Sequence, residues 1–189
     1  MNKKEFLLNY FKNIQSLLNF NEDLFKKIIL FSELLINANN QGKKTLIFGN
    51  GGSSAIASHF SVDLTKNAKI RCVNLNEYDL ITCFANDYGY EKWVEKAIEF
   101  YADEGDNLIL ISSGGNSPNM INGVKAAKNK NLNKVVTFTG NEKDNKLNTL
   151  GDVNFWIDSK SYNHVENVHQ IILLSVVDLI IGKSEYPPN

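Results

Sequence analysis

Hydrophobic positions in the first forty residues recur at steps of three and four. Phe6, Leu7, Tyr10, Phe11, Ile14, Leu17 and Leu18 make one set, and Leu24, Ile28, Ile29, Phe31, Leu34 and Leu35 a second. That period predicts two amphipathic helices, or one long helix broken near Asn19–Asn21. Beyond Gly42 the pattern changes to short continuous apolar runs. "TLIFG" (45–49), "IRCVNLN" (70–76), Leu108–Ile111, "KVVTFTG" (134–140) and "VNFWID" (153–158) read as strands. Helical segments are predicted between them over 54–66, 77–86, 90–103 and 118–130, with a long closing helix over 162–182. Strands alternating with helices predict an α/β fold: a three-layer sandwich with a mostly parallel central sheet, plus the N-terminal helices.

No linker or low-complexity stretch divides the chain, so it reads as one domain over 1–189. Residues 1–40 are expected to be oligomerisation helices and 41–189 the ligand-binding core. The apolar faces of the N-terminal helices and of 166–181 exceed what one small sheet needs to cover. The Lys/Asn-rich stretch 141–149 reads as a mobile surface connection, and Trp93, Trp156, Phe48 and Tyr88 as core packing.

Composition narrows the function classes. With 189 residues, 43% hydrophobic, the chain can bury a full core. A net charge of −1 gives no general reason to expect nucleic acid or an anionic membrane as a partner. The first eleven residues lack the apolar centre of a signal peptide, and Ile171–Ile181 is too short to span a bilayer. Cys72 and Cys83 show neither metal spacing nor a disulfide framework, which suits reduced thiols in a cytoplasmic protein.

The chemistry concentrates where two strands run into loops. In "LIFGNGGSSAIASHFSVDL" (46–64), Gly51 and Gly52 let backbone amides approach an anion, while Ser53 and Ser54 bring hydroxyls to a helix N-terminus. "DNLILISSGGNSPN" (106–119) repeats the design with Ser112, Ser113 and Ser117, and Pro118 suits the first turn of the next helix. Neither loop has the triphosphate pattern Gly-x-x-x-x-Gly-Lys-Ser/Thr, and "GNGGSS" carries serine where a dinucleotide fingerprint needs its third glycine. No nucleotide cofactor is therefore expected. Two serine loops on different strands point to a small, singly phosphorylated ligand gripped from both sides. The alternative is a pair of ordinary βα turns. Behind the first loop, His59 and Asp63 share a helix face at i,i+4, the geometry for a shared metal or a proton relay. Glu166 and His169 form a Glu-x-x-His pair that could complete a four-ligand set. Equally, His169 could pack against a neighbour while Glu166 favours the helix start. His164 reads as a surface or capping residue.

With "GNGGSSAIASHF", "ANDYGYE" and "LISSGGNSPN" in this order and spacing, the chain resembles a sugar isomerase (SIS) domain over nearly its whole length. More narrowly it is similar to the phosphoheptose isomerases, which interconvert sedoheptulose 7-phosphate and a heptopyranose 7-phosphate for the heptose of lipopolysaccharide and capsule. The same branch contains the DnaA initiator-associating protein, a non-enzymatic relative. The resemblance implies a flavodoxin-like SIS fold, aldose–ketose isomerisation through an enediol, a homotetramer with shared sites, and in several members zinc. It also implies residue roles. Ser53, Ser112, Ser113 and Ser117 match phosphate-binding hydroxyls, and Asn50 and Asp87 match residues that touch the sugar. Gly51, Gly52, Ser54, Asn86 and Asn116 complete the expected substrate set. Gly114 stands where the family usually has another serine. His59, Asp63 and Glu166 are the expected metal ligands, Glu166 falling where the family has glutamine. Asp63 occupies the place of the catalytic glutamate and is the expected base. Leu174 stands at the catalytic histidine, which leaves His169 as the expected acid. Leu174 also motivates a second reading, a sugar-phosphate-binding or regulatory module without turnover. A third is an isomerase of another sugar phosphate.

Overall fold

The apolar runs form strands because both faces of the sheet are covered, so every position along them can be buried. A computed structural model describes residues 2–185. Its strands are β1 (Thr45–Gly49), β2 (Cys72–Asn74), β3 (Asn107–Ser112), β4 (Lys134–Thr139) and β5 (Val153–Trp156). They make one five-stranded parallel sheet in the order β2-β1-β3-β4-β5. The helices are α1 (Lys3–Leu17), α2 (Glu22–Asn40), α3 (Gly52–Lys66), α4 (Tyr78–Tyr88), α5 (Trp93–Tyr101), α6 (Pro118–Asn129) and α7 (Tyr162–Ile181). The break near Asn19–Asn21 is real: the Asn21 side chain accepts from the Leu24 amide and caps α2. The stretch 70–76 yields only a three-residue edge strand.

Alternate strand residues feed two cores. Ile47, Ile109, Ile111, Val136, Phe138 and Phe155 face α2, α3 and α7. Leu46, Phe48, Leu108, Leu110 and Val135 face α5 and α6. The first core is organised by Phe31, whose ring meets Phe60, Phe138 and Phe155 at centroid distances of 6.3, 6.0 and 5.8 Å. By length and composition α7 could cross a membrane. Here its apolar face, including Val165, Val168, Ile172 and Val176, packs in this core.

Four local expectations need correction. His164 neither caps α7 nor lies on the surface; Ser161 holds the cap position, and His164 is buried edge-on against Tyr10 of α1, centroids 4.3 Å apart. Tyr88 is an exposed residue at the end of α4, with Lys96 over its ring. The 141–149 connection is pinned: Asn145 is buried and donates to the carbonyls of Gly140 and Glu142, and Leu147 is fully buried. His169, expected as an acid, is a core residue. It has no exposed surface, lies edge-on to Phe138, and donates through Nε2 to the Thr139 carbonyl at 3.0 Å.

That burial sets the protonation of His169. With Nε2–H on a carbonyl, Nδ1 keeps a lone pair that no protein group meets. Burial pushes the imidazole down from 6.5 to about 4, against the pull of the Thr139 carbonyl. The folded value lies below the unfolded one, so the unfolded chain takes up the proton first as pH falls. Stability is fully present above pH 6.5 and is lost from there down to about pH 4, by about 3 kcal/mol in all. His169→Leu should flatten the stability–pH slope in that window by up to one proton, read by denaturant titration at stepped pH. An unchanged slope would contradict the assignment.

Candidate functional site

The strand order creates a switch point. From β1 the chain crosses to β2 on one side, and from β3 it crosses to β4 on the other. Ligands in open parallel sheets bind in the crevice where the winding reverses, beyond the carboxyl ends of the strands. Here β1 and β3 pair in register, with Gly49 opposite Ile111. The two serine loops therefore leave the sheet side by side.

Each loop is shaped by glycine where another residue would not fit. Gly51 has φ of 56°, and a side chain on Gly49 would collide with the Ser53 carbonyl. This tight turn brings Ser53 to the start of α3, where its Oγ lies 3.4 Å from Ser113 Oγ of the second loop. Ser117 occupies the N-cap of α6 without capping it; its hydroxyl lies 3.1 Å from Ser112 Oγ instead. These four serines line one cavity of about 130 Å³, closed on its α7 side by Tyr162 and Glu166. Hydroxyls and two helix N-termini line this cavity, and no cationic side chain does. A larger cleft of about 610 Å³ lies away from both loops, between the α1–α2 turn and the edge strand β5.

The other expected substrate residues divide. Asn50 borders the cavity, but its amide is held in a reciprocal pair with Asn119, at 3.1 and 2.9 Å. Tyr90 donates a further hydrogen bond to Asn50 Oδ1 at 3.0 Å. Asn50 thus braces the first loop against α6. Asn119, buried in the first turn of α6, positions Asn50 without lining the cavity, and the sequence reading missed it. Asn116 shapes the second loop, accepting from the Lys146 amide and donating to the Gly114 carbonyl. Gly51 and Gly52 contribute backbone, and Ser54 lies on α3 outside the cavity lining. Asn86 and Asp87 are exposed on α4, hydrogen-bonded to each other, and do not line the cavity.

Farther along α3 stands the second part of the site. Gln170 of α7 donates through Nε2 to His59 Nδ1 at 2.8 Å. That bond leaves the imidazole proton on Nε2, which faces Asp63 Oδ2 at 3.2 Å. Gln170 was not singled out from the sequence. The available signal was that it lies four residues after Glu166, on the same helical stripe. Glu166 packs its carboxylate against Gly52 at the start of α3, where any side chain on residue 52 would collide with it. Contacts of 166 with 52 and of 170 with 59 show α3 and α7 running alongside each other.

Zinc requires three or four converging donors. Both ring nitrogens of His59 have protein partners, and Glu166 lies against Gly52 rather than with His59 and Asp63. Among the described residues no group of three His, Cys, Asp or Glu converges. The expected set His59, Asp63 and Glu166 does not fit the ion in this arrangement.

Comparison with known proteins agrees with this architecture. The SIS domain family matches residues 9–140. The phosphoheptose isomerase of Fusobacterium nucleatum is 38% identical over 152 residues, covering 78% of this chain and 77% of that protein. That of Helicobacter pylori is 33% identical over 184 residues, covering 94% and 93%. The structure of phosphoheptose isomerase from Neisseria gonorrhoeae superposes with a TM-score of 0.88 at 26% identity, covering 96% of this chain and all of that one. On the family match and the two curated relatives, the chain belongs to the SIS-domain family.

Proposed function

We propose that this protein is a sugar-phosphate isomerase acting as a phosphoheptose isomerase, converting sedoheptulose 7-phosphate to a heptopyranose 7-phosphate for surface-polysaccharide heptose. The observation that carries the reading is the pairing of one serine cavity with the Gln170–His59–Asp63 chain on the same two helices, α3 and α7. The names of the relatives support it. Along α3, His59 lies six residues from Ser53, about 9 Å, and Asp63 ten residues, about 15 Å. A sugar held by its terminal phosphate would thus present its far, carbonyl end to these residues. This favours a long chain.

In the proposed mechanism Asp63 takes the proton from C1 of the open-chain ketose and returns it at C2, through an enediol. Gln170 fixes the His59 tautomer, and His59 Nε2–H orients the carboxylate. Of the three histidines only His59 is exposed, and with both ring nitrogens engaged its part is to hold the Asp63 carboxylate in place. Leu174 follows Gln170 by one turn and gives that stripe an apolar end. This observation favours the second reading, a SIS module that binds a sugar phosphate without turnover.

Isomerisation of sedoheptulose 7-phosphate in deuterated water, followed by NMR with and without added zinc, separates the two. The enzyme reading predicts aldose formation with deuterium at C2, and a loss of at least about a hundredfold in kcat for Asp63→Asn. Binding without exchange in either condition would favour the module.

Glu166 generates a second expectation. Its carboxylate borders the phosphate cradle and opposes the charge of a bound dianion. Glu166→Gln should tighten inorganic phosphate binding by about fivefold to tenfold in calorimetry. Weaker binding would mean that the carboxylate assists the ligand.

The proposal includes a homotetramer in the cytoplasm. No residue of α1 is buried, and Phe6, Leu7, Leu8 and Phe11 expose apolar surface there. Both cysteines are free. Light scattering should give four times the 21.3 kDa chain mass, and a monomer would contradict the assembly.

A further inference from the structure

Tyr162 opens α7 and is 62% exposed, yet its phenol ring forms part of the serine cavity wall. It enters over Gly114. A β-carbon on that glycine would stand 3.4 Å from Tyr162 Oη, and no other atom beyond the adjacent residues comes within 4 Å. The second loop offers hydroxyls at Ser112, Ser113 and Ser117 and none at residue 114. The four serine hydroxyls approach one another in pairs, Ser53 with Ser113 and Ser112 with Ser117, and leave Tyr162 Oη to a ligand. The same ring lines a shallow neighbouring cleft with Asn141, Ser159 and Lys160. It stands between that cleft and the serine cavity.

We propose that Tyr162 is a substrate-contacting residue, whose Oη donates a hydrogen bond to a phosphate oxygen from the side where Gly114 brings no hydroxyl. The inference rests on the sugar-phosphate reading of the cavity and adds to it a residue from a different element. A phenol carries its proton at neutral pH and so can donate, and a phosphate oxygen can only gain from a donor there. Being exposed, the side chain adds little to the core. Tyr162→Phe therefore removes the hydroxyl and spares the packing.

The test compares wild type, Tyr162→Phe and the double variant Tyr162→Phe with Gly114→Ser. Binding of inorganic phosphate and of sedoheptulose 7-phosphate is read by calorimetry. The backbone at Gly114 is not left-handed, so serine fits, and its hydroxyl re-enters the cavity from the loop. Tyr162→Phe should weaken both ligands about tenfold, the loss of one charge-assisted hydrogen bond. The double variant should recover most of that loss. Binding by Tyr162→Phe within twofold of wild type would overturn the inference and leave the sugar-phosphate reading standing. A loss that Gly114→Ser does not recover would also overturn it, by assigning the effect to packing. If the wild type bound neither ligand, the sugar-phosphate reading itself would fail, and this inference with it.

Discussion

The in-register pairing of β1 with β3 is the constraint on which the rest depends. Because Gly49 stands opposite Ile111, two loops separated by more than fifty residues leave the sheet at the same level. Only then can Ser53 reach Ser113, and only then do α3 and α6 aim their N-termini at one volume. A one-residue slip would turn the alternating Leu and Ile positions of each strand toward the wrong helix layer, so both cores enforce the register. The site inherits its precision from burial that has nothing to do with ligand.

The second organising feature is α7. Its inward stripe, Val165, Val168, His169, Ile172 and Val176, fixes the helix against the sheet. Its other stripe, Tyr162, Glu166 and Gln170, is thereby turned toward the serine cavity and α3 at successive turns. The glycine at 52 leaves room for the Glu166 carboxylate against the start of α3. An anion site built from hydroxyls and helix ends is neutral before the ligand arrives, so a single carboxylate such as Glu166 weighs heavily in it.

Legibility in the sequence followed the range of the interactions. The strand–loop–helix units were readable because each is a local pattern, and the serines they carry meet as expected. The expectation of a Glu166–His169 pair failed on helical angle. Residues three apart diverge enough here for Glu166 to face α3 and His169 the core, whereas Glu166 and Gln170, four apart, both face α3. The pairs His164–Tyr10 and Asn50–Asn119 join elements far apart in the chain and leave no local signal. The 141–149 connection misled by composition. Its asparagines satisfy backbone carbonyls as a strand partner would, so a polar loop became a fixed one.

On the proposed function, the β1–β3 crevice holds the phosphate of a sugar whose other end lies toward His59 and Asp63. A crystal structure of the protein with sedoheptulose 7-phosphate tests it directly. Phosphorus should lie among the hydroxyls of Ser53, Ser112, Ser113 and Ser117, with the sugar chain directed along α3. A ligand seated in the larger cleft beside β5, or in the crevice with its phosphate turned toward Asp63, would contradict it.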